Sequence, residues 1–189
     1  MNSIHSASSS YQKKAATSRL GLWLFFLSDA FMFGGLLITR FYLLGNRRLE
    51  LDQTLGLIVT SVLLISSFFM NRAEVMMSQG NFKGFKTSII ITIILGIGFL
   101  VGVVGLEWGT AHFGPADGAE GAVFYMMTGM HAFHVLTGVI FLGIVLRNAS
   151  KGKYTADQHY AVEASANYWH FIDVVWIIYY PSLYLMGMI

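Results

Sequence analysis

Long uninterrupted apolar runs divide this chain into five segments that short polar connections separate. The runs cover residues 20–39, 55–70, 89–106, 122–146 and 164–189. The hydrocarbon core of a bilayer is about 30 Å thick, and about 20 helical residues cross it. Transmembrane strands are shorter and alternate between apolar and polar side chains, which these runs do not. The pattern therefore predicts an all-α protein, an integral membrane bundle of five transmembrane helices.

The predicted helices cover about residues 20–42, 54–74, 87–107, 122–147 and 163–187, and together they form one transmembrane domain over residues 20–189. The second apolar run is short, but Arg72 can extend its charged end to the membrane interface. Residues 1–19 are rich in serine and contain Lys13 and Lys14, which predicts a mobile cytoplasmic tail. None of the predicted loops is long enough to fold as a soluble catalytic domain.

The composition supports a membrane location and narrows the chemistry. Hydrophobic residues make up 55% of the chain and charged residues only 12%, against about 25% charged residues in soluble proteins. Because the chain contains no cysteine, disulfide bonds and thiolate metal sites are excluded. The net charge of +2 is too small to indicate a nucleic-acid-binding protein.

Basic residues are distributed unequally between the two sides of the predicted bundle. Lysine and arginine are retained on the cytoplasmic side of membrane proteins. With the N-terminus inside, the inner segments contain nine basic residues: Lys13, Lys14, Arg19, Arg72, Lys83, Lys86, Arg147, Lys151 and Lys153. The outer segments contain three, Arg40, Arg47 and Arg48. The predicted orientation is therefore N-inside and C-outside.

The candidate residues for a buried polar network are ionisable side chains within the predicted helices: Asp29, His131, His134, Glu163, His170 and Asp173. A charge at the centre of a bilayer helix costs about 2.5–3.5 kcal/mol on insertion scales, so such groups usually face the protein interior. The two histidines of the fourth helix are three residues apart, as are His170 and Asp173, so each pair shares a helical face. We expect a buried polar network between the fourth and fifth helices, or contacts with lipid head groups. Asp29 is open to two interpretations, a proton-active carboxyl group or a hydrogen-bonded packing group.

The spacing of His131 and His134 also raises a metal or haem interpretation, because two histidines and a carboxylate such as Asp173 can bind zinc or iron. The Glu-x-x-His pattern of di-iron bundles is missing from the sequence. Two histidines on one face of a helix also cannot occupy opposite axial positions of a single haem. Hydrogen bonding between helices is the favoured interpretation, so we predict no metal site and no catalytic residue in this chain.

Small residues mark predicted contact faces between helices. Gly34 and Gly35 follow Asp29 by about one helical turn, and Gly98 and Gly102 have the spacing of close contacts between membrane helices. These four glycines allow the close approach of a neighbouring helix or of lipid. No phosphate-binding loop, nucleophile triad or nucleotide-binding fingerprint occurs in the sequence.

Three motifs occur in separate predicted helices. Residues 168–176 read YWHFIDVVW, and residues 128–135 read TGMHAFHV. On the first helix, residues 21–25 read GLWLF and residues 33–35 read FGG. These motifs resemble YWHFVDVVW, TGFHGLHV and GMWLF…FFGG of the cytochrome c oxidase subunit III family, which belongs to the haem–copper oxygen reductases.

The resemblance extends from Leu20 to the end of the chain, with some departures. Glu107 and Glu163 lie where the family tends to place glutamates. Asp29 takes the position of the family's usual intramembrane glutamate, and Trp108 takes that of a common tyrosine. Many members have seven helices, whereas this chain resembles the shorter five-helix bacterial forms that lack the first two.

The resemblance implies a non-catalytic subunit III of a respiratory haem–copper terminal oxidase, which reduces oxygen to water and pumps protons in aerobic electron transport. Such a subunit would lie in the bacterial inner membrane and pack against catalytic subunit I, with subunit II in the same complex. It would stabilise the catalytic subunit and bind structural phospholipids. Haem and copper would belong to the partner subunits, so this chain would join an oxidoreductase complex of the cytochrome-c oxidase type without a cofactor or catalytic centre of its own.

Other functions are open at this point. An aspartate in place of the family's glutamate also occurs in quinol-oxidising relatives, so the electron donor can be cytochrome c or quinol. A nitric-oxide-reductase accessory protein belongs to a similar family. A protein of another class, a stand-alone proton channel or transporter, would use Asp29, the histidines and Asp173. Lys13, Lys14 and Arg19 on the predicted inner side could also influence proton collection near the catalytic subunit.

Overall fold

The computed structural model describes the backbone of residues 2–187 and the side chains of residues 15–187. Every regular element in this part of the chain is helical. The five long helices are α1 (Asn2–Leu44), α2 (Gln53–Ser78), α3 (Phe82–Leu100), α4 (Gly118–Ser150) and α5 (Tyr160–Tyr180). The predicted all-α fold with five helices is confirmed.

Four helices of the described chain are long and apolar enough to cross a membrane: Ala15–Leu44, Gln53–Ser78, Phe82–Thr110 and Gly118–Ser150. α5 is 21 residues long, but its aromatic and ionisable residues, among them His170 and Asp173, lower its hydropathy. Judged by length and composition alone, α5 is therefore not apolar enough to be identified as a membrane span. A fifth span depends on how α5 packs in the bundle.

Two helices end in π-helical turns, which the hydrophobic pattern did not predict. α3 continues as a π-helix over Val101–Glu107 and then as a short α-helical turn over Trp108–Thr110. α5 continues as a π-helix over Pro181–Leu185. Proline has no N–H group, so the α-helical hydrogen-bond pattern of α5 cannot pass Pro181 unchanged.

α1 begins at Asn2, which differs from the mobile tail predicted for residues 1–19. Residues 2–19 contain neither glycine nor proline, the two residues that disfavour a helix most. Once a helix has formed, each further residue adds a hydrogen bond, so the apolar part of α1 can extend toward the N-terminus. The side chains of Lys13 and Lys14 lie outside the described ones, and their role in proton collection stays a prediction.

Capping side chains set where α2 and α3 begin. Oδ1 of Asp52 accepts hydrogen bonds from the backbone N–H groups of Thr54 and Leu55, at 2.9 and 3.1 Å. The side-chain oxygen of Asn81 accepts one from the N–H group of Gly84 at 2.9 Å. These caps satisfy N–H groups that have no partner within their own helix.

α5 lies at the centre of the bundle, in contact with α1, α2 and α4. α1 and α5 run in the same direction, because Arg19, just before the apolar part of α1, pairs with Glu163 in the first turn of α5, with 2.9 Å between the charged atoms. At the other end, Nε of Arg40 donates a hydrogen bond to the carbonyl oxygen of Ser182 at 2.8 Å. A chain that passes back and forth through five helices places the first and fifth parallel, which is the arrangement observed.

Two tryptophans of α5 form the centre of the core. Trp169 and Trp176 are fully buried, and their ring N–H groups donate to Ser66 Oγ at 3.0 Å and to Thr60 Oγ1 at 2.9 Å. Gly96 on α3 makes room for Trp169, since a Cβ atom there would lie 2.6 Å from the indole ring. Aromatic burial and hydrogen bonding therefore hold α5 against α2 and α3.

Candidate functional site

Asp29 on α1 lies against His134 on α4. Oδ2 of Asp29 is 3.4 Å from Nε2 of His134, and both side chains are largely buried. Nδ1 of His134 is 2.8 Å from the carbonyl oxygen of Met130; because a carbonyl oxygen only accepts, this nitrogen carries a hydrogen. The other ring nitrogen, Nε2, faces the carboxyl group of Asp29. A proton on either Nε2 or the carboxyl group makes this contact attractive. The pair joins α1 to α4 near the middle of both helices.

His170 and Asp173 on α5 are directed toward α2. Nδ1 of His170 is 2.8 Å from Oγ of Ser67 and 3.8 Å from Oδ2 of Asp173. Asp173 is 3% exposed, and neither of its carboxyl oxygens makes a hydrogen bond of standard geometry to the described residues. The two side chains thus lie next to each other along α5, and Ser67 connects them to α2.

His131 takes part in neither of these contacts. It is fully buried, and neither ring nitrogen has a hydrogen-bond partner in the part of the chain described. Its ring packs against Trp176, with 4.7 Å between ring centroids, and against Phe99 at 5.4 Å. The two side chains are about 60° apart around the helix axis, and this difference is enough for His131 to face α3 and α5 while His134 faces Asp29 on α1. The described side chains therefore form separate contacts where a single network between α4 and α5 was predicted.

Glu163 connects α5 to α1 at one end of the bundle. Its Oε2 accepts a hydrogen bond from Nη2 of Arg19 at 2.9 Å. The Glu163 side chain is 28% exposed and the Arg19 side chain is 56% exposed. An exposed ion pair contributes about 0–1 kcal/mol, so this pair adds little stability and mainly places the start of α5 beside α1.

The four glycines predicted at helix contacts differ in their surroundings. A Cβ atom at Gly102 would collide with the side chain of Val59 on α2, so this position requires glycine for close packing. A Cβ atom at Gly98 would lie 3.8 Å from its nearest neighbour, an ordinary contact distance. A Cβ atom at Gly34 or Gly35 would meet no atom within 4 Å, so a packing role for these two stays a prediction that requires lipid or another chain.

Arg40 makes a central contact that sequence reasoning missed. The side chain is fully buried, and its guanidinium donates four hydrogen bonds to carbonyl oxygens of Gly45, Arg47, Ser182 and Met186, at 2.8–3.1 Å. These bonds hold the connection between α1 and α2 to the C-terminal segment. The one feature of the sequence that could have indicated a buried role for Arg40 is its position directly after an apolar run.

Glu107 borders a cavity that sequence reasoning also missed. Oε2 of Glu107 accepts a hydrogen bond from the hydroxyl group of Tyr184 at 2.5 Å, and the carboxyl group is buried. The cavity has a volume of about 580 Å³, and its lining includes Glu50, Asp52 and His112. It therefore lies where the α1–α2 and α3–α4 connections meet the end of α5.

A groove runs between α1 and α5 on the surface of the bundle. Two adjoining cavities of about 440 and 180 Å³ form it, and three residues border both cavities. Its lining extends along α1 from Trp23 to Leu37 and is mostly apolar, with Asn167 and His170 as polar side chains toward one end. The groove thus offers a long apolar surface with a polar end.

Four of the predicted ionisable residues, Asp29, His134, Glu163 and His170, contact polar side chains of another helix. His134 contacts Asp29, and His170 contacts Ser67. Among the side chains that the structure describes, no cluster of three or more histidine, aspartate or glutamate residues has an arrangement that could hold a metal ion. The fold and these contacts define a helical multi-pass membrane protein in which polar side chains connect the helices.

Comparison with known proteins identifies the family. The family model for cytochrome c oxidase subunit III matches residues 9–188. Proteins named cytochrome c oxidase subunit 3 from Dugong dugon and Oryctolagus cuniculus are each 34% identical to this chain in an alignment 186 residues long that covers 89% of this chain and 69% of theirs. The protein of that name from Thermostichus vulcanus is 34% identical in an alignment 174 residues long that covers 88% of this chain and 86% of that protein.

The chain belongs to the cytochrome c oxidase subunit III family. The resemblance predicted from the three motifs is confirmed. Membership makes this chain a subunit of a respiratory oxidase, and such a subunit is part of a multi-subunit complex. It is also a multi-pass membrane protein, in agreement with the four apolar spans.

Proposed function

We propose that this chain is the non-catalytic subunit III of a haem–copper terminal oxidase that reduces oxygen to water and pumps protons across a bacterial inner membrane. The observation that carries the proposal is the family match, which covers residues 9–188. The chain would assemble with catalytic subunit I, with subunit II in the same complex. Haem and copper would reside in those partners, and this chain would bind no cofactor.

The packing of α5 supports a fifth membrane span. α5 runs parallel to α1, and the two ends of α5 contact Arg19 and Arg40 of α1 through Glu163 and Ser182. Trp169 and Asp173 face the protein interior, so these two of the groups that lower its hydropathy are shielded from lipid. The uneven distribution of basic residues supports an N-inside and C-outside orientation of this five-helix domain.

A stabilising role agrees with the contacts of the ionisable groups. Asp29 with His134 joins α1 to α4, His170 with Ser67 joins α5 to α2, and Glu163 with Arg19 joins α5 to α1. Buried polar contacts of this kind set the relative position of helices. A bundle held in one arrangement presents a constant surface to the catalytic subunit.

The groove between α1 and α5 supports binding of a phospholipid. From Trp23 to Leu37 the groove follows α1 for about 21 Å, which exceeds the hydrocarbon depth of one leaflet, about 15 Å. An acyl chain along this groove would place its head group near Asn167 and Arg19, at the inner end in the proposed orientation. Phe171 and Val174 of α5 would contact the acyl chain.

Purification of the intact membrane complex through an affinity tag on this chain tests the proposal. We expect the catalytic subunit of an oxygen reductase to co-purify, with haem bands in the visible spectrum and phospholipid in a lipid extract. Co-purification with a nitric-oxide reductase would contradict the oxidase function. Proton flux through liposomes that contain this chain alone would favour a channel instead.

A further inference from the structure

The cavity beside Glu107 contains a buried carboxyl oxygen that the contacts within this chain leave unsatisfied. Glu107 is 5% exposed, and its Oε2 accepts the hydrogen bond from Tyr184. Its Oε1 is buried and has no hydrogen-bond partner among the described residues. A buried carboxyl oxygen without a partner is costly, so a donor that reaches the cavity would be favoured there.

The charged residues around the cavity indicate which kind of hydrogen-bond donor would bind there. Glu50, Asp52 and Glu107 all line it; His112 is the one basic side chain among the described lining residues, and no lysine or arginine is among them. Oδ1 of Asp52 caps α2, so this carboxylate is fixed in place. The described side chains provide no three-ligand metal cluster, and a volume of about 580 Å³ accommodates a much larger group. The cavity is therefore suited to an organic cation.

The site is built by two unusual helix ends. Glu107 ends the π-helix of α3, and Tyr184 lies in the π-helix that follows α5. π-helical turns are rare and occur frequently at functional sites. Tyr184 stacks on Tyr180, with 5.1 Å between ring centroids, and packs against Gly56, where a Cβ atom would lie 2.6 Å from its ring. The hydroxyl group that holds Glu107 is thus itself held in position.

We propose that this cavity receives an arginine or lysine side chain from another subunit of the complex. Oε1 of Glu107 accepts a hydrogen bond from the cationic group, and Glu50 and Asp52 add negative charge at the entrance. Charge-assisted hydrogen bonds are stronger than neutral ones, and complementary charge at an interface favours the correct partner and register. The proposal rests on membership of the oxidase complex and goes beyond it by naming the chemistry of one contact.

Photo-cross-linking in the intact complex tests the proposal. Thr110 lines the cavity and is exposed, so a photoreactive phenylalanine analogue there can reach the occupant. We expect a cross-link to a peptide of another subunit that contains arginine or lysine. The same analogue at Thr54, which is exposed near this end of the bundle but does not line the cavity, serves as the control and should not label that peptide.

A second measurement examines Glu107 itself. In Glu107→Gln, we expect this subunit to dissociate from the complex on the order of tenfold more readily, while Glu120→Gln, outside the cavity, changes dissociation less than about twofold. Replacing the cross-linked basic residue in the Glu107→Gln background should add little, because the two groups act as a pair.

The outcomes separate this inference from the proposed function. If the unmodified chain purifies without any catalytic subunit, the proposed function is wrong. If it co-purifies but Thr110 labels only lipid, no polypeptide, or a peptide without a basic residue, the cation-binding role of the cavity is wrong. Unchanged dissociation of Glu107→Gln also overturns it.

Discussion

Arg40 combines a permanent positive charge with complete burial, and its four hydrogen-bond acceptors are backbone carbonyls. A guanidinium has five N–H donors in a planar fork, whereas an ammonium group has three on a single atom. Arginine therefore spans carbonyl groups from two separate segments, the α1–α2 connection and the C-terminal residues. This single residue closes one end of the bundle.

Arg40→Lys should weaken this closure. Lysine keeps the charge but cannot reach all four carbonyls, so we expect a loss of about 2–4 kcal/mol in stability. Thermal release of this subunit from the purified complex measures the effect. Arg47→Lys is the matched control, because the Arg47 side chain is exposed; equal melting temperatures for both variants would contradict the structural role of Arg40.

The contact of Asp29 with His134 predicts a graded response to substitution. In Asp29→Asn the amide can still donate to Nε2 of His134, so we expect a change below about 1 kcal/mol and an unchanged pH profile of oxygen turnover. In Asp29→Leu no donor or acceptor is left for Nε2 of His134, and a loss of about 1–3 kcal/mol is expected. Subunit retention and turnover of the purified complex are measured, with Ser28→Ala as the exposed control. A strong shift of the pH profile in Asp29→Asn would instead support a proton-active carboxyl group.

At the scale of the helices, α3 and α5 meet through glycine and tryptophan. Gly96 lies directly against Trp169, and Gly102 lies against Val59 of α2. The four-residue spacing of Gly98 and Gly102 draws attention to a face of α3, but the close contact with α5 occurs at Gly96. Spacing indicates a face of a helix, whereas the partner side chain decides which glycine on that helix is indispensable.

Gly96→Ala and Gly98→Ala form a matched pair two residues apart on α3. The added methyl group at Gly96 would lie 2.6 Å from Trp169, whose ring is buried and hydrogen-bonded, so we expect a loss of about 1–3 kcal/mol. At Gly98 there is room, and alanine is favoured over glycine in a helix by about 1 kcal/mol, so stability should hold or increase. Thermal unfolding of the complex compares the two; equal effects would contradict the packing of α3 against α5.

At the scale of the whole molecule, orientation can be tested directly because the chain contains no cysteine. Gln79→Cys between α2 and α3, and Ala116→Cys between α3 and α4, place single thiols at exposed positions. With the N-terminus inside, a membrane-impermeant maleimide should label Ala116→Cys in intact cells. Gln79→Cys should be labelled only after the membrane is permeabilised. The reverse result would show that the proposed orientation is wrong.

Much of the fold follows from the hydrophobic pattern alone. Within a bilayer the backbone must satisfy its own hydrogen bonds, so an apolar run of sufficient length forms a helix whatever its neighbours are. The π-helical ends of α3 and α5 do not follow from that pattern, and Pro181 gives a physical reason for the one after α5. The helical N-terminal part of α1 was likewise hidden by its polar composition.

The sequence by itself determined the helical class, the number and order of the helices and the family, because these depend on local composition and on short motifs. The tertiary structure decided which polar groups meet. Arg40 and Ser182 are 142 positions apart in the sequence, and Glu107 and Tyr184 are 77 apart. His131 and His134, only three positions apart, face different helices. Such pairings depend on the rotation and register of whole helices, which side chains far apart in the chain set together.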